Sequence, residues 1–152
     1  MGTDTMSDIL VKTTDLPWVP LAEGIDYRVL RTSAETGTWT VLLRAQAGSS
    51  FAKHRHLGPG EYFMVKGRME YRAGSAVAGD YGYEPLDAVH EETNFPEYSE
   101  LYFTNHGPVV FLDDDDNVTS ILDHRVLTQL AAAHSSEAKT ASGRKSKQKA
   151  DW

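Results

Sequence analysis

Hydrophobic and polar residues alternate in short runs along most of the chain. In Trp39-Thr40-Val41-Leu42-Leu43-Arg44, residues 39, 41 and 43 share one face and residues 40, 42 and 44 the other, the period of a half-buried strand. Runs rich in β-branched and aromatic residues cover Asp26 to Thr32, Thr38 to Ala47, Phe51 to His56, Glu61 to Lys66 and Arg68 to Ala73. They continue over Asp80 to Glu84, Ala88 to Glu91, Glu100 to His106, Val109 to Leu112 and Val118 to Leu122. So many short strands at close spacing predict an all-β sandwich or barrel in a single domain. Gly67 and the pair Gly74-Ser75 read as tight turns between antiparallel segments. Asp113 to Asn117 reads as a hairpin turn, in which Asp and Asn bond their own backbone; a calcium loop would need the EF-hand spacing and glycine, which are absent. One short helix is expected at the C-terminal end, Asp123 to Ala133, with Asp123 as N-cap and Val126, Leu127 and Leu130 on one stripe.

The ends differ from this body. Residues 1–15 are polar and unpatterned and are expected to wrap or fray, with order beginning near Leu16. The prolines at 17 and 20 force extended backbone there, so an N-terminal strand or arm should follow. The body is taken as 16–134. Residues 135–152 form a Ser-, Lys- and Ala-rich tail without hydrophobic periodicity, read as disordered.

Charge sharpens the division. The formal net charge is −7, yet the tail carries Lys139, Arg144, Lys145, Lys147 and Lys149 against Glu137 and Asp151, so the body is the more acidic part. An acidic body argues against binding nucleic acid, which relies on Lys and Arg to release counterions. No apolar run is long enough to span a bilayer and the N-terminus lacks the pattern of a secretory signal, so the expected location is cytoplasmic, with no membrane association.

The chain has no Cys and six His. Any metal site must therefore use imidazole nitrogen and carboxylate oxygen, which disfavours zinc-finger and Fe–S chemistry. His54 and His56 lie two apart on a predicted strand, so both point to one face while Arg55 points away. The turn Gly58-Pro59-Gly60 then lets the chain bend back, and Glu61 is expected to begin the next strand facing the same cavity. Two imidazoles on one face form part of a metal site.

These residues fall in two stretches, Gly48 to Gly67 and Gly79 to Asn94, that resemble the two motifs of the cupin superfamily. Gly48, His54, His56, Glu61 and Gly67 fill the first, with five residues rather than six between Glu61 and Gly67. Gly79, Pro85, His90 and Asn94 fill the second, with Asp87 in place of a glycine; Asp tolerates the left-handed turn conformation that such a position requires. The resemblance implies a double-stranded β-helix (jelly-roll barrel), with metal held by His54, His56 and His90.

From Trp39 to Leu122 the chain further resembles the cupin dioxygenases that cleave acetylacetone, and their dihydroxyacetophenone-dioxygenase-type relatives. That likeness implies Fe(2+) held by three His without a carboxylate; Zn, Mn or Ni fit the same ligands. The family's polar groups around the metal fall on Glu61, Tyr62, Arg72, Glu84 and Thr93, and a pocket aromatic on Phe51. Leu101 and Asn105 stand where phenylalanines would be expected, pointing to a more open or polar pocket. The implied reaction is O2-dependent cleavage of a C–C bond in a β-dicarbonyl, giving a carboxylic acid and an α-ketoaldehyde or α-dicarbonyl, with an aryl ketone as the other substrate class.

A three-His site leaves a divalent ion its full charge, which favours a bidentate enolate. Glu61 or Glu84 is expected to pair with Arg72 and orient the ligands rather than to ligate, and Tyr62 and Arg72 to hydrogen-bond the substrate. A zinc-binding cupin with a sensor or regulatory role, and an isomerase or cyclase working without O2, remain alternatives. His106, His124 and His134 have no partner at ligand spacing, and Trp18 and Trp39 read as core or interface aromatics. The resemblance also implies a homodimer or homotetramer.

Overall fold

The computed structural model describes residues 7–135. Alternation becomes curved sheet. The first sheet has six strands, β1 (Val19–Ala22), β2 (Ile25–Thr32), β3 (Trp39–Ala45), β6 (Gly60–Lys66), β9 (Tyr81–Glu84) and β12 (Ser99–Asn105), in the order β1-β2-β3-β12-β6-β9. A four-stranded sheet, β10-β5-β13-β14, is built from β5 (His54–His56), β10 (Val89–His90), β13 (Val109–Leu112) and β14 (Val118–Leu122). A second, β4-β11-β7-β8, uses β4 (Ser49–Phe51), β7 (Arg68–Tyr71), β8 (Gly74–Val77) and β11 (Thr93–Phe95). Every pairing is antiparallel, and neighbours such as β3 and β12 are far apart in sequence. This is a jelly roll, as the motifs implied.

The core lies inside the roll. β3 is buried at residues 39, 41, 43 and 45 and only partly buried at the intervening positions, as its alternation predicts. Trp39, Val41, Leu43, Tyr62, Met64 and Leu101 from the large sheet meet Met69, Ala76, Phe95 and Val109 from the smaller ones. A Val, Leu, Phe or Met side chain contributes on the order of 1.5–3 kcal/mol when buried. The helix, residues 124–135, packs Leu127 into the same cluster. Asp123 caps it as expected, its Oδ1 accepting the amides of Arg125 and Val126 at 3.0 and 2.9 Å.

Several local expectations need correction. Phe51 to His56 is two strands in different sheets, because the chain crosses between them at Ala52-Lys53. Gly74 and Ser75 open β8 rather than forming a turn, which falls at Arg72-Ala73. Order begins before Leu16, with a 3-10 turn over Thr13–Asp15. Of the two places read for Trp18, core or interface, the core is excluded: it is half-buried, with the guanidinium groups of Arg28 and Arg44 each 4.3 Å from its ring. The hairpin turn is correct, since Asp113 Oδ1 accepts the amides of Asp115 and Asn117 at 2.9 and 2.8 Å. The basic tail, apart from Ser135, lies outside the described residues.

Candidate metal centre

β5 carries the first two imidazoles. Its three residues are buried, exposed and buried in turn, so His54 and His56 point into the roll and Arg55 points out. β10 pairs antiparallel with β5 and sets His90 directly opposite His54. The turn before β10 depends on Asp87, whose φ of 63° is the left-handed conformation expected of the residue replacing the motif's glycine.

The three histidines meet. Each offers one ring nitrogen, and these atoms lie within 4.8 Å of one another; this is the one such group of metal-ligating side chains among the described residues. Ring centroids are 5.0 to 5.2 Å apart. The ring nitrogens facing the centre include His54 Nε2 and His90 Nδ1, 3.2 Å apart. His54 Nδ1 donates to the carbonyl of Ala52 at 2.8 Å, which leaves Nε2 as the lone-pair nitrogen. His56 Nδ1 is 3.1 Å from Asn105 Oδ1. Burial lowers the pKa of His54, and lowers that of His90 to about 4, so both are neutral at physiological pH and ready to ligate.

Glu84, at the end of β9, stands beside the three histidines. Its Oε2 lies 2.8 Å from His56 Nε2 and its Oε1 3.9 Å from His90 Nδ1. Neither His56 Nε2 nor Glu84 Oε2 makes a hydrogen bond, and Thr93 Oγ1 on the cavity wall is likewise unpartnered. Such buried orphan atoms are costly unless something else satisfies them. A divalent cation fits this donor set: three imidazoles would hold it and the carboxylate beside them would partly balance its charge.

The cavity beside the cluster has a volume of about 40 Å³ and is mostly apolar, with Phe51, Leu101, Phe103 and Phe111 among its walls. Tyr62 Oη and Tyr71 Oη share a hydrogen bond of 2.7 Å at one side, and the Tyr71 ring stands edge-on to His90 at 5.4 Å. Burial raises the Tyr62 and Tyr71 pKa values, so both remain phenols. Tyr27 is held protonated by the same cause, reinforced by the charge of Glu84.

Two sequence expectations fail here. Glu61 does not face the cavity: Gly60 and Tyr62 are the buried neighbours on β6, and Glu61 lies on the outer face. There it accepts from Tyr81 Oη at 2.7 Å and sits 3.8 Å from His106 Nε2. The phase of β6 turns Gly60, Tyr62 and Met64 inward and Glu61 outward, and along a strand opposite phases put every side chain on the opposite face. Arg72 pairs with neither Glu61 nor Glu84; it is exposed and donates to the carbonyl of Val89 at 3.2 Å.

Tyr62, Glu84, Thr93 and Phe51 do come together around the cluster, while His106, His124 and His134 stay apart from it. Tyr71, Phe103 and Phe111 were missed. Period two along Arg68-Met69-Glu70-Tyr71, with Met69 buried, was the available signal for Tyr71.

A jelly roll with three imidazoles gathered inside it is a cupin of the metal-binding type. The ChrR cupin-like domain family matches residues 6–110, and the chain belongs to this family. It is 44% identical over 119 residues to the acetylacetone-cleaving enzyme of Acinetobacter johnsonii, covering 71% of this chain and 78% of that one. The crystal structure of an acetylacetone dioxygenase from that organism superposes with a TM-score of 0.76 at 35% identity, covering 88% of this chain and 96% of the other. A putative acetylacetone dioxygenase from Methylibium petroleiphilum gives 0.74 at 36% identity, with coverages of 81% and 93%. No helix among the described residues is long and apolar enough to cross a membrane.

Proposed function

We propose that this protein is an Fe(II)-dependent dioxygenase that cleaves a C–C bond of a small β-dicarbonyl compound, acetylacetone being the model substrate. The convergence of three buried imidazoles with one carboxylate in an apolar cavity carries the reading, and the similarity to acetylacetone-cleaving enzymes supports the substrate class. For acetylacetone the balance is one diketone and one O2 giving acetate and methylglyoxal, with both oxygen atoms entering the products.

His54, His56 and His90 are the proposed ligands. Bound Fe(II) would supply the redox chemistry. The chain's own groups do the rest. Glu84 is the buried carboxylate beside the cluster, so it is the group placed to accept the proton that a β-diketone loses on enolisation. Thr93 Oγ1, unpartnered on the wall, can donate to a carbonyl oxygen of the substrate. Tyr62 reaches the site through Tyr71, and Arg72 stands outside, near His90. The apolar walls exclude bulk water.

Assembly as a cytoplasmic homodimer or homotetramer belongs to the same proposal. Tyr81, Phe63 and Tyr102 are cross-strand neighbours on the outside of the six-stranded sheet, with 62%, 47% and 42% of their surface exposed, an apolar row suited to a second copy. Light scattering reports the assembly directly.

The activity test is anaerobic loading with Fe(II), addition of acetylacetone, and then O2. A charge-transfer absorption on adding diketone, followed by O2 uptake and acetate formation in equal amounts, is expected. Iron-loaded protein that consumes no O2 with any of a panel of β-diketones and hydroxyacetophenones would refute the proposal.

A further inference from the structure

His54 and His56 are oriented by different kinds of partner. For His54 the acceptor is a main-chain carbonyl two residues away, which any sequence would supply. For His56 it is a side chain 49 residues distant, Asn105 Oδ1, at the end of β12. We infer that Asn105 is a positioning residue that fixes His56 in the tautomer with Nδ1 protonated, and so presents the Nε2 lone pair to the metal. The inference rests on the metal-centre reading above.

The local construction supports this role. Asn105 is 1% exposed, so its amide cannot turn to solvent. Its backbone is held on both sides, opposite Trp39 of β3 and Gly60 of β6. Gly60 makes the room: a Cβ there would lie 2.7 Å from Asn105 Oδ1 and 3.2 Å from the Phe103 ring. Phe103 in turn stacks on His56, with centroids 6.3 Å apart and planes within 23°. The imidazole is therefore fixed in plane by one neighbour and in rotation by another.

Chemistry selects the tautomer. With a metal on Nε2, the one N–H of a neutral imidazole is left on Nδ1, and Asn105 Oδ1, which can only accept, stands where it holds that proton. Nε2 faces Glu84 Oε2 at 2.8 Å, neither atom having a hydrogen-bond partner, an arrangement that suits a cation. Without Asn105 the proton could move to Nε2 and bond Glu84, closing the ligand position. A phenylalanine here, as the resemblance led us to expect, would leave His56 with no such acceptor.

The test uses three proteins, wild type, Asn105→Leu and Asn105→Asp, titrated with Co(II) and followed by its ligand-field absorption. Asn105→Leu should lose roughly 10- to 100-fold in Co(II) affinity, the range for removing a partner of a metal-ligating His. Asn105→Asp keeps an acceptor at the same place and should bind within a few-fold of wild type. The tautomer is read separately, from ring 15N shifts of the Zn(II)-loaded wild type, where Nδ1 of His56 should carry the proton; this holds the inference testable even if Asn105→Leu does not fold.

An unprotonated Nδ1 of His56 in the Zn(II)-loaded wild type, a wild-type affinity in Asn105→Leu, or an equal loss in Asn105→Asp would each overturn the inference. A wild type that binds no divalent ion removes the metal centre itself. A wild type that binds metal but cleaves no diketone overturns only the proposed activity.

Discussion

Loading the three-histidine cluster should raise the thermal stability of the protein, and His54→Gln should abolish the rise. An ion that binds only the folded state adds RT ln(1 + [L]/Kd), about 2.7 kcal/mol at a hundredfold excess over Kd. For a domain of this size each kcal/mol moves Tm by roughly 2–4 °C, so the shift should be about 5–11 °C. His54 is the natural residue to change, because it is 5.2 Å from His56 and 5.0 Å from His90 between ring centroids and faces His90 across β5 and β10. Gln keeps most of the bulk. It loses the ring contacts with Phe51 and Phe111, at 6.0 and 5.8 Å, a cost on the order of 1 kcal/mol to the metal-free protein. Scanning calorimetry of metal-free wild type and variant, with and without anaerobic Fe(II), Co(II) or Zn(II), separates that small common cost from the metal-dependent shift. The reasoning fails if no ion moves the wild-type Tm, or if the variant gains as much as the wild type.

Three further outcomes follow from the geometry. Gly82→Ala would place a Cβ inside the Tyr62 ring, so it should destabilise by about 1–3 kcal/mol and break the Tyr62–Tyr71 bond; urea unfolding checks the first and the Tyr71 resonances the second, and an unchanged Cm refutes the close approach. Leu101, 1% exposed on the cavity wall, should when changed to Phe lower kcat/KM for phenyl-bearing diketones at least about tenfold more than for acetylacetone; an unchanged ratio would show that substrate does not reach this wall. The amide of Asn117, chiefly, holds the Asp113 carboxyl below its ordinary range. Stabilisation of this turn is therefore present above the ordinary carboxylate pKa and lost as pH falls through the lowered one, so the Asp115 and Asn117 amide resonances should hold steady until below that ordinary range, and movement at the ordinary value refutes the sign.

Much of the site was readable along the chain. Period two placed His54 and His56 on one inward face with Arg55 outside, and β5 has this pattern. Alternation is a property of the strand itself, so it survives whatever the strand packs against. The left-handed turn at Asp87 and the cap at Asp123 are equally local. Glu61 was misplaced for a physical reason: it follows a Gly-Pro-Gly turn, and the strand phase after a turn is set by cross-strand partners, here Thr104 and Tyr83, which no local pattern reveals.

By itself the sequence determined most of the strands, though not β8 or β11, together with the absence of thiolate ligands and the pair of histidines that share a face, because each follows from residue type and near-neighbour spacing. Only the tertiary structure decided which carboxylate stands at the cluster. Glu84 has no spacing relation to His56, yet the antiparallel pairing of β6 with β9 carries it inward to 2.8 Å while turning Glu61 out. Asn105 shows the same division, since a contact across 49 residues exists only after the sheets close and burial removes water as the competing partner.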